Sequence, residues 1–253
     1  MPHLPLGALQ LAAAVLGADP GVVYHGGRNE LQVRPPRIEA EVEVDGRLDE
    51  AVWTQAAVLT GFSQYQPVDG IPAADSTEVL VWYSPTAIHF GIRAYEPHGV
   101  VNATLADRDR IDGDDHVVIL LDTYADGRRA LVFAVNPFGI QSDGVLSESS
   151  RERRGSFDAD ADQAATDLSP DYVFSSRGRL TEYRYEVEVR IPFASVRYQS
   201  GESQDWGINI VRRVQHSGHE QTWTPARRGR ASFLAQNGRL EGLSGIGRGV
   251  VLD

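Results

Sequence analysis

Five side chains of this sequence are of types that could contact a ligand by stacking or by hydrogen bonding. Trp82, Trp223 and Tyr65 offer aromatic faces, and Arg227 and Arg228 offer guanidinium donors for hydroxyl or carboxylate oxygens. Trp82 is the leading stacking candidate. Strand alternation groups it with Glu78 and Leu80, whereas Val79, Val81 and Tyr83 form the more consistently apolar face. An outward Trp calls for a reason, and ligand stacking is one; strand packing or cover by a loop is the other. Trp223 stands beside Pro225 and the basic loop Arg227-Arg228-Gly229-Arg230, which reads either as the rim of a groove or as a solvated turn. Trp53, flanked by Ala51 and Val52, reads as core, with Asp49 capping a helical turn.

The acidic residues suggest a cation. Within 107–115, Asp109, Asp112, Asp114 and Asp115 supply the oxygen ligands that calcium prefers, although Ile111 falls where an EF-hand would need an oxygen. Asp158, Asp160 and Asp162 alternate in the same way but lack the glycine and glutamate of that motif. On a strand they would equally form a solvated edge. Glu186 and Glu188 share a strand face about 7 Å apart, a spacing open to an inverting glycosidase and to any strand with one wet face. No nucleophile elbow, zinc-protease motif, phosphate loop or dinucleotide fingerprint occurs. Binding is therefore expected ahead of catalysis.

The elements that must position these groups are strands. A chain of 253 residues with 42% hydrophobic content can bury a large core in one domain. A formal charge of -11 argues against nucleic acid as a partner, and zero cysteines exclude disulfides and thiolate metal sites. Residues 1–18 resemble a signal peptide, with an apolar stretch closing on Gly17-Ala18, so an extracytoplasmic location is expected: periplasm, cell surface or secreted. Residues 19–36 read as a linker, and the domain is expected over 37–253. Short alternating runs follow at 38–44, 77–83, 87–95, 116–122, 129–135, 158–166, 172–176, 180–191, 206–214 and 220–224, separated by turn residues. The run 116–122 is apolar on both faces and reads as a central strand covered on two sides. These runs predict a single antiparallel β-sandwich of about nine to eleven strands, with short helical turns near 49–55 and 193–196.

Four motifs in order carry a resemblance. They are Asp45-Gly46-x-x-Asp49-Glu50-x-x-Trp53, the strand opened by Asp114-Asp115, Phe133-x-x-Asn136-Pro137-x-Gly139, and Glu186-x-Glu188-x-x-Ile191-Pro192-Phe193. Trp206-Gly207-Ile208-Asn209, Trp223-Thr224-Pro225 and 238–243 extend it. The chain resembles the family 9 carbohydrate-binding module, closest to the version that precedes a β-barrel in predicted bacterial outer-membrane proteins. The resemblance implies a β-sandwich, a carbohydrate or polysaccharide ligand, a role in carbohydrate catabolism and a structural calcium ion. It also implies a bacterial outer-membrane barrel as a partner or as a missing C-terminal region. The alternatives are a front domain of such a barrel without sugar specificity and, more distantly, a hydrolase of O-glycosyl bonds. The pair of Trp residues that sandwich sugar in the xylanase-attached members has no residue-by-residue match here.

Overall fold

A computed structural model describes residues 21–148, 166–199, 201–230 and 232–247. Their strands are β1 (Val23–His25), β2 (Gln32–Val33), β3 (Ala57–Thr60), β4 (Ser63–Gln66), β5 (Thr77–Tyr83), β6 (Ala87–Tyr95), β7 (His116–Asp122) and β8 (Arg129–Val135). They continue with β9 (Gln141–Ser147), β10 (Thr166–Asp167), β11 (Ser175–Leu180), β12 (Arg184–Pro192), β13 (Ser203–Val214), β14 (His219–Thr222) and β15 (Gly238–Ser244). The first sheet runs β1-β3-β5-β6-β12-β11, and the second runs β10-β9-β8-β7-β13-β14-β4. The twelve-residue β13 is long enough to take two partners on one edge. β14 pairs with 211–214, and β15 pairs with 203–208 and in turn holds β2.

Alternation along these strands builds the core between the sheets. Val79, Val81, Phe90, Ile92, Val187 and Val189 of the first sheet meet Val117, Ile119, Leu121, Phe133, Ile208 and Ile210 of the second, all buried. Arg212 continues the inward series of β13 and closes one end of this core. Its guanidinium donates to the carbonyls of Ser76 (3.0 Å) and Tyr95 (2.8 Å), lies 3.5 Å from Glu96 Oε2, and sits 5.8 Å from the Tyr185 ring centroid.

The expected sandwich is present, with two departures. Fifteen strands stand among the described residues rather than nine to eleven, and two short pairs, β1–β3 and β2–β15, are parallel. Both parallel strands come from 19–36, the stretch read as a linker, whose pairing segments are too short to show periodicity. The run 38–44 forms no ladder. Its alternate residues Ile38, Ala40 and Val42 instead pack against a cluster of Leu48, Val52, Trp53, Ala56, Leu80 and Trp82. Residues 37–56 thus form a strap across the outer face of the first sheet. Glu188 Oε2 anchors its turn by accepting the N–H groups of Asp45 (2.9 Å) and Gly46 (3.0 Å), and Gly46 has the positive φ of 87° that this turn requires. A single 3-10 turn, Ala51–Thr54, then lowers Trp53 onto Trp82.

Candidate binding groove

The outer face of the second sheet carries the open site. Cross-strand register places Ser142, Ala134, Val118, Val211 and Thr222 in one row over β9, β8, β7, β13 and β14. Gly144, Val132, Leu120 and Asn209 form the next row. Paired residues point to the same side, and this side lies opposite the core series of Val117, Ile119 and Leu121. Small residues at Ala134 and Ser142 leave the surface hollow, while the space over Gly144 is taken by the backbone of Asp167. The result is a groove of about 320 Å³, at the small end of the usual range for ligand pockets.

One end of the groove is polar. His116, Arg213 and Glu220 are aligned in a third row, and Asp112 and Ser142 join them on the lining. His116 Nδ1 lies 2.8 Å from the carbonyl oxygen of Asp114, so Nδ1 carries the proton and donates it there. Burial is the main cause that pulls the His116 pKa below its ordinary value, helped by the Arg213 charge and opposed by the Asp114 hydrogen bond. The ring is therefore neutral at physiological pH, and Nε2 is left as an acceptor. The other walls are Phe233, supplied by the connection between β14 and β15, and Thr166 and Leu168 beside β9. Chemically, the arrangement can hold a small ligand with an apolar face and with hydrogen-bonding groups gathered at one end.

The expected stacking residues are placed elsewhere. Trp82 is completely buried beneath the strap, stacked on His89 (centroids 3.9 Å apart, planes at 5°) and met edge-on by Trp53 at 6.0 Å. The face that alternation assigned to solvent is covered by residues 37–56, which corrects Trp82 as a stacking platform. Trp223 is also completely buried, with Gly26 and Gly238 so close that neither position has room for a Cβ. Arg227 and Arg228 are exposed, but their loop is tied back: Asp69 Oδ2 accepts the N–H of Arg228 at 2.7 Å, and Arg227 lies 3.8 Å from Asp69. Neither arginine lines the groove. Tyr65 is buried as well, yet it backs the groove wall, with its ring 5.2 Å from that of Phe233.

The acidic loop serves the architecture. Asp114 Oδ2 accepts from Thr104 Oγ1 (3.0 Å) and Asn136 Nδ2 (2.8 Å), and Asp115 accepts the N–H groups of Asn102 and Gln215. Asp109 Oδ1 accepts the N–H of Asp143 at 3.2 Å, while Asp112 faces the groove. Among the described residues no three His, Asp or Glu side chains converge to hold a metal ion, so the donor set expected from Asp109, Asp112, Asp114 and Asp115 does not fit calcium. Asp158, Asp160 and Asp162 lie outside the described residues. Glu186 is not a poised acid, because Arg179 (2.5 Å) and Arg184 (2.5 Å) hold its pKa down despite burial.

The groove floor was missed although its signal was present. The run 116–122 is apolar on both faces, and both are covered as expected: Val117, Ile119 and Leu121 face the core between the sheets, while Leu120, with Val118 packed against it, joins a second buried cluster with Tyr65, Val132, Leu146, Val211 and Phe233, part of which is also the groove floor. Val132, Ala134 and Val211 repeat the same excess of outward apolar residues on the flanking strands.

No family model matches the chain, and no match is found among curated proteins. Solved structures do match. A family 9 carbohydrate-binding module from Caldicellulosiruptor kristjanssonii in complex with cellotriose is 15% identical, with a TM-score of 0.56, over 87% of this chain and 98% of the other. A structure from the same organism, of a family 9 module in complex with glucose, is 13% identical with a TM-score of 0.55, over 87% of this chain and 100% of the other. A protein from Bacteroides uniformis, provisionally assigned as carbohydrate-binding, is 13% identical with a TM-score of 0.58, over 83% and 98% of the two chains. At these identities the likeness is one of architecture: the chain has the β-sandwich fold of the family 9 carbohydrate-binding modules.

Proposed function

We propose that this protein binds carbohydrate without transforming it, through the groove on the outer face of the second sheet. The observation that carries this reading is the convergence in one open hollow of an apolar floor with His116, Arg213 and Glu220 at its end. Such a lining, mostly apolar with a few polar groups gathered at one end, is what holds a small ligand in a fixed orientation. The fold shared with modules solved with cellotriose and glucose supports the same ligand class. Such binding would serve polysaccharide breakdown by a partner enzyme, outside the cytoplasm if the leader-like first eighteen residues direct export.

Affinity electrophoresis and calorimetric titration against a panel of soluble β-glucans, xylans and their oligosaccharides test this. Retardation by at least one glycan is expected. Ala134→Trp, which fills the groove, and His116→Leu, which removes the acceptor, should each weaken binding about tenfold or more. Absence of retardation across the panel would overturn the reading, as would full retention by both variants.

A further inference from the structure

The groove floor differs from a surface made for a bare sugar ring. It is branched and aliphatic, built from Val118, Leu120, Val132, Leu146 and Val211, and it spans two register rows. All four Trp side chains of the protein are buried in core clusters, so no indole plane lies along it. An unsubstituted pyranose laid over this floor would turn hydroxyl groups toward carbon, where they lose water and gain no partner. The polar lining is concentrated at the opposite end, at His116, Arg213 and Glu220. The groove therefore calls for a ligand that is itself divided into a polar and an apolar part.

We propose that the groove selects a saccharide carrying a short acyl ester. The acyl chain lies on the Val118–Val132–Leu146 floor, and a sugar ring lies at the His116–Arg213–Glu220 end. This inference rests on the carbohydrate reading above and narrows its ligand class. Neutral His116 accepts a sugar hydroxyl through Nε2, the arginine donates to ring or ester oxygens, and the acyl methyl and methylene groups take the place of water over the valines.

Titration of the full chain with matched pairs, acetylated xylan and glucan oligosaccharides against the same oligosaccharides after alkaline deacetylation, reads the selection directly. The acetylated member should bind at least threefold tighter. In a series of acetyl, propionyl and butyryl esters of one glycoside, each added methylene should tighten binding about three- to fourfold until the groove is full. Val118→Thr and Val132→Thr keep the shape of the floor while adding hydroxyls, and they should flatten that series. His116→Gln should weaken all members alike, and a circular dichroism spectrum confirms that each variant is folded. Equal binding of acetylated and deacetylated oligosaccharides would overturn the selection and leave the carbohydrate reading standing. Binding in neither arm would overturn both. A simple alkyl ester without a sugar that binds as tightly as the esterified glycoside would also overturn both, because the polar end would then recognise no sugar.

Discussion

Glu188 shows how one side chain can be architectural and still responsive to pH. It is buried under the strap, where desolvation is the largest influence on its carboxyl. The N–H groups of Gly46 and Asp45 oppose that influence, and the nearby charges of Glu50 and Asp45 add to it, so the pKa rises from 4.5 to about 7. A carboxyl raised in this way binds a proton in the folded chain at pH values where the unfolded chain has released it. Its contribution to stability is then complete below about pH 4.5 and is lost as pH rises through 7. With solvent screening near the strap's edge allowed for, the loss is no more than about 2 kcal/mol. Urea unfolding at pH 5.5 and pH 8.5 should show the native protein weaker at the higher value, and Glu188→Gln should remove most of that slope. An unchanged slope in the variant would assign the pH dependence to other groups. His89, under the same strap, is lowered to about 3 by burial and by Arg190 and stays neutral throughout this range.

Among the elements, the strap explains most of the distance between what could be read from the sequence and what the molecule does. The runs at 77–83, 87–95, 116–122 and 129–135 coincide with β5 to β8, because each is an apolar-rich stretch of seven to nine residues between clear turns. Ser84 closes the β5–β6 hairpin, with its N–H donating to Ala87 O at 2.8 Å. The short strands β1, β2 and β10 were illegible, since two or three residues carry no period. The run 38–44 has a strand's alternation, yet beyond the N–H of Ile38, which donates to Tyr83 O at 2.8 Å, it is held by side-chain packing rather than a ladder. Alternation reports which residues are buried and not what covers them, and this is why Trp82 was misplaced. Trp53 rests on Trp82 and reaches Gly91, where a Cβ would lie 2.9 Å from its ring. Trp53→Ala should cost about 3–5 kcal/mol, and Gly91→Val about 1–3 kcal/mol by overpacking. Both are measurable by chemical denaturation. Gly91→Val at full stability would show that the strap yields easily.

At the scale of the whole molecule, Arg212 links the two sheets. It and Glu96 are each about 1% exposed, and Glu96 Oε1 has no hydrogen-bond partner, so the pair is retained at some desolvation cost. Arg212→Ala should destabilise by about 3–5 kcal/mol by leaving Glu96 alone in the core, whereas Arg212→Met with Glu96→Leu should come close to native stability. Denaturation midpoints of the single and double variants decide this, and equal losses in both would show that the arginine's backbone bonds to Ser76 and Tyr95 dominate. The groove itself was only half legible. The apolar excess in 116–121 was visible, but its polar row needs His116, Arg213 and Glu220 to meet through pairings of β7, β13 and β14 across about a hundred residues of sequence. Because β14 and β15 divide one edge of β13, the segment joining them leaves the sheet and returns without crossing it, carrying Phe233 to the groove on the way. Whatever the groove prefers can consequently be tuned at Phe233, where that excursion borders it, while Trp223, Ala226 and Leu234 of the same segment stay buried and hold it to the sandwich.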